Sequence, residues 1–377
     1  MAGLCCALGL LLAGCSAQTW PGYYWQAAAG QMQLLAAAQP IPTAVQDPAT
    51  PDALRQRLER SQRIRRYASE CLALPDNASY SRYADLQREN AVWNVVAAPA
   101  DALDLHQWCF PIVGCVGYRG YFQQADAQAQ ALQLRAQGLD VHVYGVPAYS
   151  TLGWFNWLGG DPLLSSFIHW PEPELAGLVF HELAHQLLFV PGDTAFNEAF
   201  ATTVQRLGTA QWLRDAGTPA QQAAFARSER WRLSWQALTQ STQAELAALY
   251  AAQHTSPLTP EALLARKQAV LRDFRQHYAA LRQQWRPASQ PMSTNDAWAR
   301  LDAWVAQANN ASFASLGLYE DWVPAFTAMF QQADGDWPRF YDAVRAVAAM
   351  PSTSRQAALC AAFPPDSLPT ACVRHPD

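Results

Sequence analysis

Apolar residues recur every three or four positions through most of this chain and alternate over only a few short stretches. The three-and-four spacing predicts helices over Tyr23–Gln39, across the arginine-rich segment Arg55–Arg66, over Tyr121–Gly138 and through most of Gln221–Met350. β-branched and aromatic residues mark two strands, Ala91–Pro99 and Asp140–Tyr149, with a third candidate at Ser165–Trp170. Proline-rich joints at Gln46–Pro51 and Arg286–Thr294 read as loops inside one architecture. No internal repeat or low-complexity tract interrupts the pattern. The fold class it predicts is mainly α with a small β-sheet, α+β.

Composition changes this picture little. Half of the 377 residues are hydrophobic and 15% are charged, with 15 Trp, 13 Tyr and 15 Phe, so the chain can bury a core and does not resemble a disordered one. A net charge of -5 leaves no basic face for phosphates, and no nucleic-acid partner is expected. The densest basic stretch, Arg55–Arg66, interleaves arginine with Leu and Ile at helical spacing, as a solvated helix face does.

The first residues change the expected compartment. Residues 1–14 form an apolar run too short to span a bilayer, and Leu12-Ala13-Gly14-Cys15 has the form of a lipobox. A lipobox implies cleavage before Cys15, a diacylglyceryl group on that cysteine and a membrane reached through the lipid anchor. Ser16 after the cysteine points to outer-membrane sorting, facing the periplasm of a bacterium. No Lys or Arg precedes the apolar run, which allows for a start upstream of Met1. Five cysteines then remain in the mature chain. Cys109 with Cys115 and Cys360 with Cys372 are candidate disulfides for an oxidising compartment, with Cys71 left over; the alternative is buried free thiols. No C-x-x-C pair is present for a zinc ribbon or a redox site.

The chemistry concentrates in Leu178–Thr203. An apolar run from Leu175 to Val190, opened by Pro-Glu-Pro-Glu and closed by Pro-Gly-Asp, predicts one helix of about four turns. His181 and His185 are four apart on it, one turn above the other, so both imidazoles can face a single metal ion, with Glu182 beside them. Catalytic zinc takes three protein ligands and leaves a position for water. The candidate third ligand is Glu198 of Asn197-Glu198, placed by the turn at Pro191–Asp193 at the start of a second, antiparallel helix. A third histidine six residues after His185 would have marked a different ligand set, but that position is Pro191. Glu182 is then the candidate general base.

His-Glu-Leu-Ala-His followed by Asn-Glu-Ala-Phe-Ala resembles the gluzincin metallopeptidases. With Leu74–Leu86, Cys109–Phe122 and the stretch from Asn309 to Phe326, the chain is similar over nearly its whole mature length to a bacterial lipoprotein family of zinc aminopeptidases. The resemblance implies one zincin-like catalytic domain over residues 15–377, a Zn2+ cofactor and a peptide substrate. It also suggests Tyr319 as donor to the developing oxyanion, with a core tyrosine as the alternative. Two alternatives stay open for the reaction itself: a zinc endopeptidase, or a non-catalytic envelope lipoprotein built on the same fold. The interval between His185 and Glu198 is shorter than in most gluzincins. Thr202 also stands where many of them carry an aspartate that braces a ligand histidine. Arg119 is a candidate carboxylate clamp or a brace of the fold, and Tyr149–Asn156 a substrate-pairing edge or a plain turn.

Overall fold

A computed structural model describes residues 20–110, 114–151, 156–285, 296–363 and 372. The element order is α1 (Trp20–Ala37), β1 (Ala38–Pro40), α2 (Ile41–Gln46), α3 (Asp52–Glu70), β2 (Arg82–Ala84), β3 (Val92–Ala98), β4 (Trp108–Phe110), β5 (Gly114–Val116), β6 (Arg119–Tyr121), α4 (Gln124–Ala136), β7 (Asp140–Val146), β8 (Leu163–Leu164), α5 (Glu172–Leu187), α6 (Thr194–Ala216), α7 (Pro219–Ala251), α8 (Pro260–Gln284), α9 (Asp296–Gln307), α10 (Asn310–Glu320), α11 (Val323–Gln332), α12 (Trp337–Ala348) and α13 (Ser352–Ala362). The chain is mainly helical with small sheets, α+β as the periodicity predicts.

Two three-stranded sheets and one hairpin make up the β structure among the described residues. The longer sheet has the order β6-β3-β7 and is antiparallel throughout, with Val95 opposite Val143 and Arg119. Successive residues of β3 point to opposite faces. Val95 and Ala97 pack with Ala127, Ala131 and Leu134 of α4, while Val96 and Ala98 pack with Ala311 of α10. Both faces are covered, which explains why Val95–Ala98 reads as an unbroken apolar run and not as an alternation. The other sheet, β1-β2-β8, has strands of two or three residues, and its β2–β8 pairing is parallel. Ser165–Trp170 is not the third strand expected there. The strand is Leu163–Leu164, and the chain then winds into a turn in which Phe167 and Ile168 both donate to the Leu164 carbonyl. Those two neighbours are both fully buried, a pattern that alternation in a strand would not produce.

The largest core lies under α5 and α6, where Phe180, Phe196, Phe200, Phe326 and Phe340 are fully buried. Helices α3, α11, α12 and α13 surround it. Helices α7, α8 and α9 carry a second core of their own around Phe274, Tyr278 and Trp304. Helix α10 joins the parts, packing on β3, β7, α6 and α7. At this junction sits Lys267, the only lysine of the chain, which donates to Asp140 Oδ2 at 2.6 Å and to the Ala100 carbonyl at 2.9 Å. The backbone N–H of Asn310 shares that carboxylate oxygen, and Tyr250 donates to the Asn310 side chain. Both disulfides considered from the sequence are formed, Cys109–Cys115 across the β4–β5 hairpin and Cys360–Cys372, while Cys71 is free and exposed.

Candidate metal centre

Local chemistry shapes the two helices that build the site. Pro171 and Pro173 open α5 where a missing N–H costs nothing, and Glu172 and Glu174 in its first turn complement the helix dipole. The helix stops at Leu188, whose backbone is extended. Gly192 then takes a positive φ of 80°, and Asp193 caps α6 by accepting from the Phe196 N–H at 3.1 Å. Asn197 clamps the turn: its Oδ1 accepts from the Val190 N–H and its Nδ2 donates to the Val190 carbonyl, both at 2.8 Å. This buried amide ties the exit of α5 to the first turn of α6 and so aims the next residue, Glu198, back at α5. The β4–β5 hairpin presses on the same turn, because a Cβ on Gly114 would come within 2.8 Å of the Gly192 nitrogen.

His181, His185 and Glu198 converge. Nε2 of His181 and Nε2 of His185 are 3.1 Å apart, and Glu198 Oε2 lies 3.4 Å from the first and 3.6 Å from the second. One ligand atom from each lies within 4.8 Å of the others, the one such cluster of His, Cys, Asp or Glu among the described residues. Two imidazole nitrogens and a carboxylate oxygen are thus brought to a common point. Such a donor set fits a divalent cation of the zinc type, for which two His and one Glu are a known catalytic ligand set. Burial favours the neutral form of Glu198, but His185 and His181 outweigh it and hold the carboxyl well below its ordinary range. It is therefore ionised, as a metal ligand must be. Burial also opposes charge on His185, and there the Glu198 carboxylate prevails and raises the imidazole.

The brace of His181 comes from an unexpected residue. Thr202 is buried but makes no bond to His181; the Nδ1 of His181 instead lies 3.1 Å from the Oε1 of Gln205. With Nδ1–H donating to that amide oxygen, Nε2 is left unprotonated towards the site. Gln205 is seven residues after Glu198, two turns along the same face of α6, a spacing that could have flagged it. Room for its side chain is provided by Gly177 on α5, where a Cβ would meet Gln205 Cγ at 3.2 Å and Thr209 Oγ1 at 3.1 Å. His185 has no comparable brace: its Nδ1 is buried without a hydrogen-bond partner among the described residues.

Glu182 adjoins the cluster. Burial raises its carboxyl, His181 and His185 lower it, and Glu198 and Asp161 raise it again. Two phenols missed in the sequence lie within electrostatic reach of it. Tyr80 is fully buried in a left-handed backbone conformation, φ 64°, with its hydroxyl unpartnered among the described residues; burial raises it first and Glu182 second. Tyr118, which precedes β6, is raised by burial, then by Glu198, Tyr144 and Glu182. Behind α5, Gln186 donates to Ser79 Oγ and to the buried Asp161, whose carboxylate also accepts from Ser150 and Thr151. This network holds the start of the Tyr149–Asn156 segment against the helix that bears the histidines.

Other candidates fall elsewhere. Arg119 does not reach the site: its guanidinium lies 4.1 Å over the Tyr23 ring and bonds Gln130, bracing α1 against α4. Tyr319 is on α10, which packs against α6, but its side chain lies outside the described residues, as do Leu152–Phe155 and Cys15.

A protein-family model described as "putative aminopeptidase" matches residues 22–359. No curated protein and no solved structure matches the chain.

Proposed function

Since the chain belongs to this putative aminopeptidase family, we infer that it is a zinc-dependent peptidase that removes residues from the free amino ends of peptides. The observation that carries this is the convergence of His181, His185 and Glu198 beside Glu182, a carboxylate that is not a member of the ligand set. A site kept only to hold a structural ion has no use for that fourth group.

His181, His185 and Glu198 are the residues that would hold the ion, and Gln205 would keep His181 in the ligating tautomer. Zinc held there supplies Lewis acidity, polarising a carbonyl and making water acidic enough to lose a proton near neutral pH. Glu182 does the proton work: a carboxylate oxygen accepts the proton of the attacking water and returns it to the departing amine nitrogen. The raised carboxyl of Glu182 suits both halves of that cycle. Tyr80, Tyr118 and Tyr319 are the candidates for a donor to the developing oxyanion.

The test combines metal analysis with a peptide digest. Wild-type protein should carry close to one zinc per chain, His185→Ala and Glu198→Ala should lose it, and Glu182→Gln should keep it while losing cleavage. N-acetylation of the same peptides should abolish cleavage. Equal cleavage of free and acetylated forms would replace the aminopeptidase with an endopeptidase, and a folded wild type without zinc would end the metallopeptidase reading.

A further inference from the structure

Helix α1 carries no charged residue in its 18 positions and turns an apolar face outward. Trp25 is 76% exposed, Met32 58% and Tyr24 42%. At 100° per residue Trp25, Ala28, Met32 and Ala36 share one stripe, with Tyr24 at its border, and all are exposed. The opposite face is pinned. Gln26 donates to the Gly120 carbonyl and accepts from the Phe122 N–H, Tyr23 stacks on Phe110, and Gly30 abuts the Phe122 ring so closely that a Cβ would lie 2.1 Å from it. The stripe is therefore held at a set place on the surface.

What lies upstream identifies what it meets. Cys15, the lipid-attachment residue of the lipobox, precedes Trp20 by five residues, at most about 18 Å of extended chain. Acyl chains at Cys15 would hold the start of α1 within that distance of a bilayer. Exposed Trp and Tyr with no charge between them are the residues that settle at the headgroup level of a membrane. None of the described helices is long and apolar enough to cross one, so contact is along the surface. We propose that the Trp25–Met32 face of α1 lies in the interfacial layer of the phospholipid bilayer to which Cys15 is anchored. It adds a second contact that sets the orientation of the protein on the membrane. The proposal rests on acylation of Cys15 and is independent of the peptidase assignment.

The test uses the full acylated chain with Cys71→Ser, reconstituted in vesicles of phosphatidylethanolamine and phosphatidylglycerol. An environment-sensitive fluorophore is attached to a single cysteine at Trp25→Cys, at Met32→Cys or, as control, at Leu264→Cys on α8, also exposed at 53%. The labels on α1 should shift to the blue and be quenched severalfold by spin-labelled lipid, and the label on α8 should do neither. Labels on α1 that behave like the control would overturn the proposal and leave the stripe to a protein partner. A mass spectrum without acylation at Cys15 would overturn it too, since nothing would then hold α1 near lipid.

Discussion

Replacing Gln205 with leucine isolates the brace on His181. The side chain is close to isosteric and helix propensity hardly changes, so α6 should persist. What is lost is the acceptor 3.1 Å from His181 Nδ1, on a ring whose side chain is only 12% exposed. Leaving that N–H without a partner costs about 1–2 kcal/mol. Freed of its partner, the ring can turn or adopt the other tautomer, and loss of such an outer brace weakens a metal about 10–100-fold, or about 1.4–2.7 kcal/mol. Zinc affinity by competition with a chromophoric chelator reads this directly. Thermal unfolding with and without zinc adds a control: the metal-free variant should melt only slightly below wild type, by the cost of the unpaired N–H, and the rise on adding zinc should shrink further in Gln205→Leu. Gln205→Glu, which restores an acceptor, should recover the affinity. Gly177→Ala should weaken zinc in the same direction by crowding Gln205 Cγ. Zinc held by Gln205→Leu as tightly as by wild type would refute the role given to this residue.

Two further outcomes are expected away from the metal. Lys267→Met leaves Asp140 and its shared N–H without the ammonium at the junction of α8, α10 and β7. Urea unfolding should show a loss of about 3 kcal/mol, at the low end for a broken buried pair because Asp140 stays partly exposed. Lys267→Met with Asp140→Asn should lose less than Lys267→Met alone, and an equal loss would mean the pairing contributes little. His142 on β7 stacks on Tyr144 near Trp304, and burial, then Arg135, lowers it from 6.5 to about 4. The native state keeps it neutral while the unfolded chain takes up a proton below about 6.5, so stability is full above that pH and falls as pH drops towards 4. Between pH 7 and pH 5 this amounts to about 2 kcal/mol, and His142→Phe should flatten that part of the curve measured by denaturant unfolding; an unchanged slope would remove His142 from the account.

Much of the candidate site was legible because it is local. The four-residue spacing of His181 and His185, the stop at Pro191-Gly192-Asp193 and the Asn197-Glu198 pair act within one or two helical turns, where backbone geometry dictates which side chains share a face. The long helices were equally plain, since a 3.6-residue period survives over many turns. Short strands were not: β8 is two residues long, and its partner β2 lies some eighty positions earlier. A strand's identity depends on that partner, whereas Ser165–Trp170 merely has strand-like composition. The β4–β5 hairpin against Gly192 and the hold of Lys267 on Asp140 are likewise contacts between distant segments, and the burial of Tyr80 and Tyr118 within electrostatic reach of Glu182 depends on the packed fold in the same way. Gln205 stands between the two cases, on the expected helix and the expected face, two turns from Glu198. Which residue on that face reaches His181 depended on how closely α5 and α6 approach, and the absence of a side chain at Gly177 allows that distance, a property of the packed pair and not of either helix alone.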